Sequence, residues 1–177
     1  MPTYFESMRR LAFLCASLFA LGVPAAALAL TASPGDGSLV VKNGSAPKGV
    51  PVITLVIKGA AIGRVTGLGT IVIDDATPQD SYGPEVTGWN THNDSGTATR
   101  WVGVGMKFRA VGGTYKITIY GSGVYLSAIG VGRVVSLSGI PDQTTGDGVY
   151  SFNDDPFRSL PTTPLVQVPL AAPAANG

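Results

Sequence analysis

One segment occurs twice in the chain, and both copies alternate apolar and polar residues between glycines. The stretch "ITLVIKGAAIGRVTGLGTIVID" at 53–74 aligns with "ITIYGSGVYLSAIGVGRVVSLS" at 117–138 after a one-residue slip. Alternation with a period of two is typical of half-buried β-strands, and glycines mark turns or bends. The repeat therefore predicts that the chain contains the same three-strand meander twice.

The register of each meander follows from its first turn, because a tight turn with positive φ favours glycine. In the second copy a turn at 122–123 would place Tyr120 opposite Tyr125 and Thr118 opposite Ser127. Side chains alternate between the two faces of a strand. We therefore expect one buried face, which contains Ile117, Ile119, Leu126 and Ala128. A turn at 58–59 in the first copy would likewise place Leu55 opposite Ile62 on the inner side.

Other segments extend the pattern into an all-β domain. "TRWVGVGMKFRAVGG" at 99–113 alternates strictly, which puts Trp101 on a glycine-lined side together with Lys107 and Arg109. The polar stretch 74–99 is predicted to be mostly loop. With shorter strands near 38–42, 149–152 and 157–160, the total is about ten short strands. This number and spacing predict an antiparallel β-sandwich or a closed β-barrel.

The composition agrees with a β fold and disfavours a nucleic-acid partner. The chain has 24 glycines and only 13% charged residues, which disfavours long helices. The basic residues are scattered along the sequence, and nucleic-acid binding proteins usually concentrate them. Examples of this scatter are Lys42, Lys58, Arg64, Arg100, Lys116 and Arg133.

The first 29 residues have the layout of a secretory signal peptide. Arg9 and Arg10 precede an apolar run at 11–23, and small residues follow as far as Ala29. The run is too short to span a bilayer comfortably, so no stable membrane span is expected after cleavage. Cys15, the only cysteine, lies inside this run. The predicted location is therefore secreted, either extracellular or in the periplasm or cell envelope.

Cleavage there would leave a single domain and a short tail. The domain is predicted at 30–160. The domain and the tail together contain equal numbers of acidic and basic residues. The tail at 161–177 is rich in proline and alanine, with one edge strand expected at 165–168. A small outer-membrane β-barrel is an alternative for an exported chain of this kind, although its strands look short for that purpose.

Aromatic side chains are the best candidates for binding. Tyr120 and Tyr125 are predicted as a pair on the polar face of the second hairpin, Trp89 in a loop, and Trp101 on its strand. Aromatic rings on a sheet can bind a glycan or an envelope component. The alternative interpretation is that they are cross-strand pairs that only stabilise the sheet.

Catalytic and metal-binding residues are scarce. His92 is the only histidine, and Asp94 and Ser95 follow it, so a hydrolase would have to use this loop or carboxylates that converge from separate loops. One histidine and no cysteine after the leader exclude an ordinary zinc site. Oxygen-rich loops make calcium the most plausible ion. The candidate ligands are Asp142, Asp147, Asp154 and Asp155.

The run "GTYKITIYGSGVYLSAIGVGRVVSLSG", together with "YSFNDDPFRSLP", resembles a group of exported bacterial all-β proteins with no assigned activity. The resemblance covers roughly residues 37–168 and implies secretion and a β fold, but it transfers no functional residue. The sequence as a whole favours a non-catalytic exported domain with a structural or binding role and no cofactor other than possible calcium. A secreted hydrolase is the alternative.

Overall fold

The structure is a computed structural model that describes residues 35–78, 83–140 and 148–171. These residues form eight β-strands. Their bounds are β1 Gly37–Gly44, β2 Ile53–Asp75, β3 Glu85–Ser95, β4 Ala98–Gly121, β5 Val124–Leu137, β6 Val149–Phe152, β7 Arg158–Ser159 and β8 Leu165–Leu170. Within these ranges the chain forms no helix that is long and apolar enough to cross a membrane.

All eight strands belong to one antiparallel sheet. Its order is β3-β4-β2-β5-β1-β6-β7, and β8 pairs with β5 beside this path. The sheet is not closed, so the fold is an open or sandwich-like antiparallel sheet and not a closed barrel. The predicted all-β antiparallel class is confirmed. The strands differ from the prediction in being fewer and longer, since β2 has 23 residues and β4 has 24.

The predicted meanders are wrong, because neither copy of the repeat folds back on itself. The first copy is one continuous strand, β2. The second copy comprises the end of β4 and all of β5, and these two strands pair with other strands instead of with each other. The chain therefore does not reverse at residues 122–123, and both β4 before them and β5 after them run antiparallel to β2. Tyr120 is opposite Thr70, and Tyr125 is opposite Arg64.

The two copies of the repeat lie antiparallel to each other. Residues 53–65 of β2 pair with 124–137 of β5, and residues 69–75 pair with 115–121 of β4. The second copy thus runs along one edge of the first. The other edge of β2 pairs with β4 from Ala98 to Ile119. β2 therefore has paired strands along both of its edges, and the buried side chains of these strands form one hydrophobic cluster.

Glycine meets glycine where the two copies bend. Gly59 is opposite Gly130, with φ values of +150° and +146°, in a region that L side chains rarely adopt. A Cβ on Gly130 would lie 2.3 Å from the carbonyl oxygen of Lys58. Gly69 and Gly121 form the second such pair. Gly59, which the sequence places in a hairpin turn, therefore lies at a bend where two backbones approach closely.

The predicted buried face is confirmed. Ile117, Ile119, Leu126 and Ala128 are all at most 2% exposed. Leu55 is also fully buried, but Ile62 lies on the outer side. The hairpin would have brought these two residues to one face, whereas they are seven positions apart in one continuous strand. An odd separation in a strand places two side chains on opposite faces.

Two further predictions for the segment 74–113 are wrong. Most of the expected loop is the edge strand β3, whose side chains are exposed except for the half-buried Val86. Trp101 belongs to the core at 8% exposure, not to an outer face. At Gly105, with φ +71°, β4 passes a register irregularity, and beyond it the buried positions shift from odd to even residues. Strict alternation across that point therefore assigned Trp101 to the wrong side.

The C-terminal strand β8 occupies the place where the sequence predicts an edge strand. It pairs with β5 along 132–137, and Leu170 is fully buried in the core. The packed part of the chain therefore extends to Leu170, beyond the domain end predicted at 160. The predicted signal peptide at 1–29 lies outside the described residues.

Candidate functional site

A shallow groove crosses four neighbouring strands on the outer face of the sheet. It has a volume of about 480 Å³, and it contains three cationic side chains and no carboxylate. We call it the basic groove. Its side chains on the outer face are Val40 and Lys42 of β1, Ile62 and Arg64 of β2, Lys107 of β4, and Tyr125 and Ser127 of β5.

The strand register places these side chains next to one another. Arg64 is opposite Tyr125 of β5 on one side and opposite Lys107 of β4 on the other. Across β5, Val40 of β1 is opposite Ser127, and Lys42 lies two positions further along β1. Residues two apart in a strand point to the same face. The cations therefore follow a line that runs across the strands, from β4 through β2 to β1.

Aromatic rings hold two of the three cations in place. The guanidinium carbon of Arg64 lies 4.2 Å from the ring centroid of Tyr125, and Nζ of Lys42 lies 4.0 Å from that of Phe157. Both are within the range of a cation–π interaction. In the described part of the chain, none of the three cations forms an ion pair with a carboxylate. Their charge therefore faces solvent and is available to an anionic ligand.

Sequence reasoning missed this cluster because its members are far apart along the chain. Lys42, Arg64 and Lys107 come from three different strands, and their scatter along the sequence gives no sign that they share a surface. Arg109 adds a fourth cation at the flank, two positions beyond Lys107 and opposite Glu85 of β3. The only available signal was that Lys107 and Arg109 share a polar side of their strand. Pairing between strands places Arg64 beside Lys107 and brings Lys42 into the same groove.

The two tyrosines predicted as one aromatic surface lie in different places. Tyr125 lines the basic groove, whereas Tyr120 lines a second groove of about 740 Å³. The second groove also contains Lys48, Arg100 and the exposed Leu68. Since β4 and β5 do not pair, the predicted Tyr120–Tyr125 pair does not form.

Trp89 and His92 lie together on the exposed edge strand β3, and the Asp94 carboxylate bonds elsewhere. Trp89 lies on β3 and is 41% exposed, and its indole N–H donates to the backbone carbonyl of Val86. Its ring packs edge-on against the imidazole of His92, with 4.5 Å between the ring centroids. Asp94 accepts a hydrogen bond from the Thr99 hydroxyl at 2.6 Å instead of orienting His92. His92 lies on the exposed edge strand, and none of the grooves described above includes it.

The adjacent carboxylates at the end of β2 have hydrogen-bond partners in two different segments. Asp74 accepts a hydrogen bond from the Thr97 hydroxyl, and the buried Asp75 accepts one from the backbone N–H of Thr77 at 2.8 Å. Asp75 therefore caps the segment that follows β2, whereas Asp74 bonds to the turn between β3 and β4.

Two of the four predicted calcium ligands lie among the described residues. Asp142 and Asp147 lie outside the described residues. Asp154 and Asp155 are exposed in the turn after β6, where Asp154 has φ +62°. Among the described residues, no three His, Cys, Asp or Glu side chains are grouped so as to hold a metal ion. Calcium binding therefore stays a prediction.

Comparison with protein-family models, with curated protein sequences and with solved structures gives no match for this chain. Its function therefore has to be inferred from the geometry of its own surface.

Proposed function

We propose that the chain is an exported, non-catalytic β-domain that binds a component of the cell envelope or of the extracellular space. The observation that carries this proposal is the basic groove, where three cations without ion-pair partners in the described structure meet on one outer face. A rigid sheet is a good support for such a surface, because side chains on paired strands are held in fixed relative positions.

The leader-like segment at 1–29 supports the exported location, and so does the resemblance to exported bacterial proteins. The filled interior supports a binding role at the surface. Leu39, Leu55, Ile57, Ile71 and Ile119 are all fully buried, and they pack in one hydrophobic cluster. The two largest grooves are both open depressions on the outside of the sheet.

Co-sedimentation of the purified full chain with insoluble envelope material of the producing organism tests this proposal. We expect the chain to sediment, and we expect Arg64→Gln combined with Lys107→Gln to lower the bound fraction at least fivefold. Removing two charge-assisted contacts has an effect of this size or larger. The matched control combines Arg133→Gln with Lys58→Gln, which removes the same charge from exposed positions outside the groove.

Three results would contradict the proposal. The chain could fail to sediment, or both double variants could lose binding equally. Alternatively, the wild-type chain could release soluble sugars or peptides from the envelope material, which would indicate the hydrolase that uses His92 or convergent carboxylates. Thermal unfolding of both variants provides the control for folding.

A further inference from the structure

The chemistry of the basic groove allows its ligand class to be named, on the premise of the proposed function above. Adjacent strands in a sheet lie about 4.8 Å apart. The line from Lys107 of β4 passes Arg64 of β2, crosses β5 and ends at Lys42 of β1. It therefore spans three strand spacings, or about 14 Å. A ligand that satisfies all three cations must therefore be extended and must carry negative charges repeatedly along its length.

The groove can donate hydrogen bonds to anions as well as attract them. The guanidinium of Arg64 is held over Tyr125, yet in the described structure none of its guanidinium N–H groups donates to a protein acceptor. A guanidinium presents its donors as a planar fork that matches the two oxygens of a carboxylate. Because Tyr125 already restricts the side chain, less conformational entropy is lost when the ligand binds.

Apolar and hydroxyl groups lie between the cations. Val40 and Ile62 are half-buried on the outer face, and Ser127 lies opposite both of them. The C–H face of a pyranose ring can lie against such aliphatic side chains while its hydroxyls bond to a serine. This alternation of charge, apolar surface and hydroxyl fits a chain of acidic sugars.

Two other polyanions fit the groove less well. Single-stranded nucleic acid binds through bases that stack on aromatic rings, but the ring of Tyr125 already carries Arg64. An anionic membrane favours basic side chains next to exposed apolar ones that enter the lipid. Leu68, Val104, Val131 and Val166, the most exposed large apolar residues, do not line this groove.

We propose that the basic groove binds an acidic polysaccharide, with carboxylates spaced along the sugar chain meeting Lys107, Arg64 and Lys42. The sugar chain then runs across the strands, perpendicular to β2. Tyr125 is a positioning residue, because it holds the guanidinium of Arg64.

Titration calorimetry of the full chain with polygalacturonate, and with neutral dextran as the comparison, tests the ligand class. We expect binding to polygalacturonate that weakens as salt is added, and no binding to dextran. Arg64→Gln with Lys107→Gln should weaken binding at least tenfold. Arg133→Gln with Lys58→Gln should change it less than twofold. Tyr125→Leu should weaken binding severalfold, since it removes the ring that restricts Arg64.

Binding to dextran as tight as to polygalacturonate would overturn the proposal, and so would equal losses in the two double variants. Binding to single-stranded DNA or to vesicles with anionic lipids, without binding to polygalacturonate, would overturn it in favour of that ligand. If envelope material is bound through Arg64 while polygalacturonate is not, only the ligand class is wrong. If neither is bound, the proposed function itself fails.

Discussion

Replacement of Ile119 by aspartate is expected to lower the free energy of unfolding by about 4 kcal/mol or more, because it buries a charge without a partner. Ile119 is fully buried, and its cross-strand neighbours on the two sides, Ile53 and Ile71, are fully buried as well. A domain has a total stability of about 5–15 kcal/mol, so this single change should bring the protein close to unfolding. Urea denaturation followed by circular dichroism measures the effect.

Two additional variants keep this prediction measurable. Ile119→Ala leaves a cavity and no charge, so it should cost about 2–5 kcal/mol and still give a folded protein. Thr118→Asp, one residue earlier on the outer face, should cost less than about 1 kcal/mol. Similar stabilities for Ile119→Asp and Thr118→Asp would show that the two faces of β4 are not divided as described.

Replacement of Gly130 by alanine is expected to cost about 3 kcal/mol, which is far above the usual effect of a surface methyl group. The new Cβ would lie 2.3 Å from the carbonyl oxygen of Lys58 and 3.0 Å from the Cα of Gly59, and the residue would have to adopt φ +146°. Both contacts are with backbone, so a change of rotamer cannot relieve them. Urea denaturation again measures the difference.

Gly83→Ala is the matched control for this prediction, because nothing lies within 4 Å of its added Cβ. It should change the stability by no more than about 0.5 kcal/mol. If Gly130→Ala is as well tolerated as Gly83→Ala, the close approach of β2 and β5 at this bend is wrong.

Within regular stretches the faces of the strands could be predicted from the sequence, but faces beyond a bend, such as that of Trp101, and the partners of the strands could not. Period-two alternation correctly assigned Ile117, Ile119 and Leu126 to the core, because burial on one side leaves a pattern in the sequence. Gly59 and Gly123 both have positive φ, which is compatible with a chain reversal and also with a bend in a continuing chain. The sequence does not distinguish the two, since the outcome depends on a strand that lies elsewhere in the chain.

The edge strand and the basic groove were missed for related reasons. β3 has almost no buried side chains, so its sequence shows polar turn-forming residues and no apolar alternation. The groove depends on pairing between strands that are remote in sequence, such as Arg64 of β2 with Tyr125 of β5. Each cation alone looks like an ordinary solvated side chain, and only the register brings the set together.

The pairing of β2 with β5 determines both the fold and the basic groove, and engineered disulfides test this pairing. Ser127 is opposite Ile62 in the structure, whereas the hairpin expected from the sequence would place it opposite Thr118. Paired cysteines need Cα atoms about 4.4–6.8 Å apart, a distance typical of directly opposite residues in an antiparallel pair.

With Cys15 replaced by serine, two double-cysteine chains are compared under the same mild oxidation, and free thiols are counted by mass after alkylation. We expect Ile62→Cys with Ser127→Cys to form an intramolecular disulfide and Thr118→Cys with Ser127→Cys to keep both thiols. The opposite result would show that β4 and β5 form a hairpin, and it would remove the neighbours that create the basic groove.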